Sequence, residues 1–355
     1  PECRQIRRMS YRNERKLYLR KCDLTGKEIF SIFPPDSPFK VADKDYWWSD
    51  NFDPMKYGRD YDPNKSFFEQ FYEMQKETPL PSLRVEKSEN SDFNNDVGDC
   101  KNCYLCSRTH YCENCLYNYR GNHSNNCVDC TQVVDSEYLY ECLDCINCNQ
   151  CNYCQFSSNC SNSIFLFDCR GCNDCFLCSN LRNKQYYFMN RQLSKEEYEK
   201  KMAGFDFGSY ELVKQAKEHF EKIKASAIYK NLTLVNSENC SGDNIVDSKN
   251  CYQCFGLKFS EDCRHLWDVM RYKNSVDSYS GGRNSELIYE TTAVAASYNV
   301  CFCLRATESR HVFYSNFIRS SSNIFGCIGL NHKQYCILNK QYSEEEYYKL
   351  LEKIL

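Results

Sequence analysis

The sequence predicts a mainly β protein made of two tandem small-bore β-solenoids with short α-helical caps, and three observations predict it. Seventeen of the 27 cysteines lie between Cys100 and Cys178, each a multiple of three residues from the next. Within that lattice Cys100, Cys115, Cys130, Cys145, Cys160 and Cys175 recur every fifteen residues, each preceded by Asp99, Asn114, Asp129, Asp144, Asn159 or Asp174. The second half of the chain then echoes the first at an offset of 148 to 149 residues. A fixed period is the signature of stacked repeats.

Fifteen residues are too few for the two-helix repeats. Asn, Asp, Cys, Ser and Tyr dominate the stretch, and no 3.6-residue apolar stripe runs through it. That leaves one β coil of about 15 residues per repeat, stacked at about 4.8 Å. The lattice positions without cysteine are Thr109, Asn118, Gly121, Ser124, Val133, Ser136, Leu139, Ser157, Ser163 and Leu166. None is charged or aromatic, so the lattice is expected to face inward, where a small polarisable thiol fits. Arg108, His110, Glu113, Arg120, His123, Glu137, Tyr138 and Arg170 lie off the lattice and are expected outside. The Asp/Asn positions mark corners, because these residues tolerate left-handed backbone.

In chain order, residues 1–60 form a basic segment and 61–90 a helix and linker. Residues 91–180 form the first Cys-rich solenoid, and 181–235 capping and linking helices. Residues 236–330 form the second solenoid, and 331–355 a strand and helix cap. Phe67, Phe68, Phe71, Tyr72 and Met74 give the first helix its apolar face, and Pro79 and Pro81 end it. Ser194-x-x-Glu197 is a capping box opening a helix that stops near Gly204. A second helix runs from Ser209 to about Ala225 on the spacing of Leu212, Val213, Ala216, Phe220 and Ile223. Lys101-Asn-Cys-Tyr-Leu-Cys106 is echoed by Lys249-Asn-Cys-Tyr-Gln-Cys254, and the Ser194 capping box by Ser343-Glu-Glu-Glu346. At several equivalent positions Ser has replaced Cys. The chain starts at Pro1 and ends inside a helical pattern at Leu355, as a piece of a longer protein would.

Arg12-Asn-Glu-Arg-Lys-Leu-Tyr18, Lys21-Cys-Asp23, Tyr46-Trp-Trp-Ser-Asp50 and Lys333-Gln-Tyr-Cys-Ile-Leu-Asn-Lys-Gln-Tyr342 together carry a resemblance. On them, and on Cys3-Arg-Gln5, the chain resembles an uncharacterised family of cysteine-rich, zinc-ribbon-containing repeat proteins of uncultured, reduced-genome bacteria. The resemblance spans essentially the whole chain and brings no activity with it. It implies a small zinc-ribbon-like N-terminal segment, with a knuckle before the basic run and paired cysteines near 22–25 and 43–46. Here Thr25, Asp43 and Tyr46 stand where cysteine is expected, leaving Cys3 and Cys22 as candidate metal ligands. Zinc needs four N or S donors, so the second ribbon is expected to be metal-free, its shape kept by Tyr46–Trp48.

The thiol lattice itself invites a metal reading. Cys142-x2-Cys145-x2-Cys148 matches the start of a bacterial ferredoxin motif but lacks its closing Cys-Pro. A lattice also spreads thiols along a rod instead of converging them, and replacement by Ser, Gly, Val and Leu argues for packing. A Cys130→Ser change is accordingly expected to cost about 1–3 kcal/mol for an unpartnered hydroxyl.

Arg4, Arg7, Arg8, Arg12, Arg15, Lys16, Arg20 and Lys21, interleaved with Tyr11 and Tyr18, are candidate RNA or DNA contacts in a chain of net charge −3. Their Arg face is expected to project away from the solenoid. No Gly-rich phosphate loop, nucleophile elbow or His-x-x-x-His pair points to an enzyme. The sequence therefore reads as a non-enzymatic, cytoplasmic binding or scaffold protein, without membrane contact and with partners along the solenoid surface. The alternative is a metal-binding or thiol-redox protein using the lattice.

Overall fold

Every third residue of the repeats adopts left-handed backbone, and this conformation generates the architecture. In the computed structural model, which describes residues 2–10 and 13–355, Asp99, Asn102, Leu105, Arg108, Tyr111 and Asn114 have φ of 54, 52, 51, 53, 54 and 53°. Each such residue turns the chain, so a side is three residues long. The residue after it, always a lattice position, points inward. All six Asp/Asn positions predicted as corners are left-handed. Left-handed backbone costs an ordinary L-residue about 1–2 kcal/mol, and Asn and Asp reduce that locally. Nδ2→Oδ1 bonds link Asn90, Asn102, Asn114 and Asn126 into a ladder at 3.1, 3.1 and 3.3 Å.

The chain pairs with itself in parallel at an offset of twelve residues, which corrects the predicted fifteen. Val85 pairs with Val97, Lys101 with Glu113, Cys151 with Ser163 and Cys175 with Tyr187. Two backbone bonds hold each step, as in Lys101 N–H to Cys112 O (3.0 Å) and Asn114 N–H to Lys101 O (2.9 Å). Four triplets, not five, complete a circuit. Fifteen is one circuit plus one triplet, so Cys100, Cys115 and Cys130 climb from side to side and do not form a column. Cys100, Cys112, Ser124, Ser136, Cys148, Cys160 and Cys172 do.

The second ladder follows the same rule with two exceptions. Leu234 pairs with Ile245 and Glu238 with Lys249, a step of eleven. Tyr272 pairs with Ser285 and Val276 with Tyr289, a step of thirteen. One residue is lost near Gly242 and one regained near Arg283 and Asn284, which are both left-handed. This explains why the internal repeat shifts between 149 and 148 and back.

Helices are α1 (Glu2–Ser10), α2 (Lys44–Trp48), α3 (Phe67–Glu77), α4 (Lys195–Ala203), α5 (Tyr210–Ser226) and α6 (Glu344–Ile354). Ser194 and Ser343 make the predicted capping boxes of α4 and α6. Before them, the antiparallel pairs Gln185–Phe188 with Arg191–Gln192 and Gln334–Ile337 with Lys340–Gln341 finish each ladder. Tyr198 and Tyr347 are buried against Tyr186 and Tyr335 respectively, so each helix shields a terminal strand.

The chain forms two compact units, Pro1–Asn13 with Tyr18–Ser82 and Lys230–Leu355, and Glu14–Leu17 with Leu83–Tyr229. In the first, Phe67 of α3 packs on Tyr314 and Phe325 of the second ladder. In the other, Phe220 of α5 packs on Phe165 of the first ladder.

Candidate functional site

The interior of both ladders is a hydrogen-bonding layer. At many lattice positions carrying Asn, Ser or Cys, the side chain accepts the backbone N–H of the lattice residue twelve positions later. Asn118 Oδ1 takes Cys130 N–H at 2.9 Å, Ser136 Oγ takes Cys148 N–H at 3.1 Å, and Cys142 Sγ takes Cys154 N–H at 3.4 Å. The same side chains donate to carbonyls. Ser136 Oγ donates to Val134 O (2.8 Å), and Cys130 Sγ to Val128 O (3.3 Å). A serine at position 130 has that carbonyl within reach, so the hydroxyl of Cys130→Ser is not left without a partner as expected above.

All 27 cysteines are free thiols. Burial pushes the Cys178 and Cys336 thiols up to about 11, so at neutral pH they are donors and not nucleophiles. Cys103 is held below its ordinary value by thiols of Cys100, Cys106 and Cys115 that donate to it, yet it is buried. Among the described residues, no group of three or more His, Cys, Asp or Glu is placed to hold a metal ion.

The basic segment is engaged, and its Arg face does not project away as predicted. Arg4 Nε reaches Asp277 at 2.7 Å, Arg7 reaches Glu290 at 2.9 Å, and Arg8 reaches Glu290 at 3.2 Å and Asp277 at 3.6 Å. The side chains of Arg8, Asp277 and Glu290 are 5%, 2% and 5% exposed. Burial lowers the Arg8 pKa despite the two carboxylates. His265 lies one circuit before Asp277, and burial lowers its pKa as well. Arg20 is buried and bonds Asp23 and the Pro34 carbonyl. Arg15 lies over the Tyr119 ring at 4.5 Å. Arg15, Lys16 and Lys21 are exposed, and Arg12 falls outside the described residues. No local feature of the sequence marks Asp277 and Glu290 as partners of the basic segment, because both resemble any other corner acid.

Cys3 is exposed on α1, whereas Cys22 is buried beside the antiparallel pair Tyr18–Lys21 and Glu28–Ser31. Cys22 Sγ accepts backbone N–H groups of Thr25 (3.3 Å) and Asp43 (3.2 Å), so three of the four ribbon positions do gather. Burial opposes ionisation of Cys22, but the Thr25 hydroxyl and the N–H groups of Asp43, Thr25 and Leu24 outweigh it and hold the thiol below its ordinary value. Asp43 is occupied as the N-cap of α2, accepting from Asp45 and Tyr46 N–H. One thiol, a hydroxyl, a capping carboxylate and a phenol do not fit a tetrahedral zinc site. Trp47 stacks on Phe52 at 5.5 Å and donates to Pro79 O at 3.0 Å, which anchors α2 in this region.

No family model and no curated protein matches the chain. Among solved structures, one from Desulfovibrio desulfuricans, described provisionally as an acetyltransferase, matches at 10% identity and a TM-score of 0.14. The match covers 65% of this chain and 65% of that one. At that TM-score the likeness carries neither fold nor activity.

Proposed function

We propose that the chain is a non-enzymatic binding or scaffold protein built on two β-solenoids with twelve-residue coils, headed by a zinc-ribbon-like segment that does not use metal. The observation that supports it is the twelve-residue register, kept throughout both ladders except at the step of eleven and the step of thirteen in the second. Each outward column becomes a line of side chains one strand spacing apart, about 4.8 Å, while the interior thiols and hydroxyls satisfy the backbone. Repeat proteins of this kind offer extended surfaces for recognition. The ion pairs to Asp277 and Glu290 take Arg4, Arg7 and Arg8 away from the RNA or DNA reading, which is left with Arg15, Lys16 and Lys21. The metal or thiol-redox reading loses support from the burial of the lattice sulfurs and their bonds to carbonyls.

The test is site-specific photocrosslinking of the full chain in native extract, with the reactive group moved along outward columns. A saturable product confined to one column supports a scaffold. Loss of that pattern, together with a reversible two-electron thiol couple or stoichiometric metal in the native protein, overturns it.

A further inference from the structure

The two ladders carry equivalent outward columns, but helices cover them differently. In the second ladder the column runs Gln253, His265, Asp277, Glu290, Phe302, Tyr314. Offsets of 148 and 149 place Leu105, Tyr117, Asp129, Glu141, Tyr153 and Phe165 at the same positions in the first. The upper part is covered in both. Phe67 and Phe68 of α3 pack on Tyr314, and Phe220 and Lys217 of α5 pack on Phe165 and Tyr153. The lower part differs. In the second ladder, α1 lies on it, with Arg4, Arg7 and Arg8 on Asp277 and Glu290. In the first ladder, no helix among the described residues lies on Leu105, Tyr117 and Asp129, and Glu141 meets Lys217 of α5 at 2.7 Å.

The uncovered part is apolar where its counterpart is polar. Leu116 and Tyr117 stand where the second ladder has Arg264 and His265, and Leu105 where it has Gln253. Tyr104, Leu105 and Tyr117 are 42%, 40% and 47% exposed. Rings of Phe93, Tyr104 and Tyr117 follow one another at 5.7 and 5.8 Å. The stripe runs into the seat of α5, so it continues an interface already present in the fold. A contiguous apolar stripe of this kind marks a contact site.

Resting on the scaffold reading, we propose that this stripe is the seat of a protein partner's cationic amphipathic helix. Its apolar ridge lies on Tyr104, Leu105, Leu116 and Tyr117, and its Arg or Lys side chains meet Asp129 and Glu141, as α1 does in the other unit. A helix spanning four strands, roughly 15–19 Å, needs about 10–13 residues. Asp129 and Glu141 favour cations and repel phosphates, so a helix is favoured over a nucleic acid.

The experiment uses the full chain and a fluorescent synthetic helix with Leu and Phe on one face and Arg at one end, read by anisotropy. Saturable binding is expected. It should weaken about tenfold or more in Tyr104→Glu/Tyr117→Glu, as loss of an aromatic anchor does, and to a smaller degree in Asp129→Lys. Circular dichroism checks that both variants fold, and these exposed positions leave the interior untouched. Binding indifferent to both variants overturns the proposal, as does self-association or oligonucleotide binding that protects the stripe instead. If the double variant keeps the column-specific photocrosslink of the wild type, the seat fails while the scaffold reading stands. If the wild type itself gives no crosslink, the scaffold reading fails first.

Discussion

The two ladders solve one packing problem with different atoms. Cys148, Cys160 and Cys172 line one side of the first, and Ser297, Ser309 and Ser321 hold the equivalent places in the second. Cys148 Sγ donates to Ile146 O and Ser157 O at 3.5 and 3.6 Å; Ser297 Oγ donates to Ala295 O and Ala306 O at 2.8 and 3.4 Å. The serines also form a chain of acceptors. Ser309 N–H bonds Ser297 Oγ, Ser321 N–H bonds Ser309 Oγ, and Lys333 N–H bonds Ser321 Oγ, at 3.1, 3.2 and 3.1 Å. The position therefore asks for a short side chain carrying one donor and one acceptor. Sulfur adds apolar contact to a narrow interior.

The sharpest way to separate the two units is the ion pairing on their acid columns. Arg8→Ala should destabilise the second-ladder unit by about 3–5 kcal/mol, because Asp277 and Glu290 would keep buried charge without its partner. Lys217→Ala in the other unit should cost roughly 0–1 kcal/mol, since Lys217 and Glu141 are 42% and 36% exposed. Urea unfolding of both variants measures the difference. Equal effects would mean that α1 is not held by its buried charges.

Alkaline pH should weaken both units through their thiols. Burial raises Cys178 and Cys336 from 9.0 to about 11 in the folded state. Raised folded pKa values stabilise fully below the unfolded value, and that stability is lost as pH rises through the folded one. Stability should therefore fall between about pH 9 and 11, by roughly 2–3 kcal/mol for each such thiol. The first-ladder unit should lose more, because Cys127 and Cys130 are raised as well, to about 12, while Cys103, Cys151 and Cys172, held low by thiols that donate to them, act in the opposite direction. Unfolding free energy followed from pH 8 to 11 tests this, and a flat profile would contradict the buried-thiol interior.

The serine chain gives the next contrast. Ser309→Ala removes the acceptor of Ser321 N–H and should cost about 1–3 kcal/mol. Cys160→Ser keeps a donor facing Ser158 O, which Cys160 Sγ meets at 3.3 Å, and should stay below about 1 kcal/mol. Thermal melts of the two variants rank them, and a reversed order would restore a specific role for sulfur.

Much of this was legible in the sequence because orientation repeats every three residues. Thr109, Asn118, Ser124, Val133, Ser136, Leu139, Ser157, Ser163 and Leu166 are all buried, as the lattice implied, and none of the eight off-lattice residues predicted outside is. The same fact hid the circuit length. Twelve and fifteen are both multiples of three, so side-chain chemistry cannot tell four sides from five, and only the backbone pairing decides. The site was less legible. Arg4 and Asp277 are 273 residues apart, and no local pattern joins them. The stripe at Tyr104–Tyr117 emerges only when the two ladders are aligned on their true register.

The smallest effect probes that register at its corners. Asn114 is left-handed and bonds Asn126 Oδ1 through Nδ2 at 3.3 Å, itself accepting from Asn102 at 3.1 Å. Both bonds are exposed, so their loss is partly made good by water, and the backbone term should dominate. Asn114→Ala should then cost about 1 kcal/mol, the penalty of forcing an ordinary L-residue into left-handed backbone. Asn114→Gly should be close to neutral, because glycine enters that region freely while giving up the ladder bonds. Asn250, on the same corner column of the second ladder at the place of Asn102, is left-handed too and meets Asp262, the counterpart of Asn114, at 2.9 Å. The same pair of changes there should give the same order with a somewhat larger loss for both, because each removes a bond to a carboxylate, which accepts more strongly than an amide. Denaturant melts of the four variants separate the two contributions. If Gly proves as costly as Ala at either corner, side-chain bonding and not backbone conformation sets the triplet.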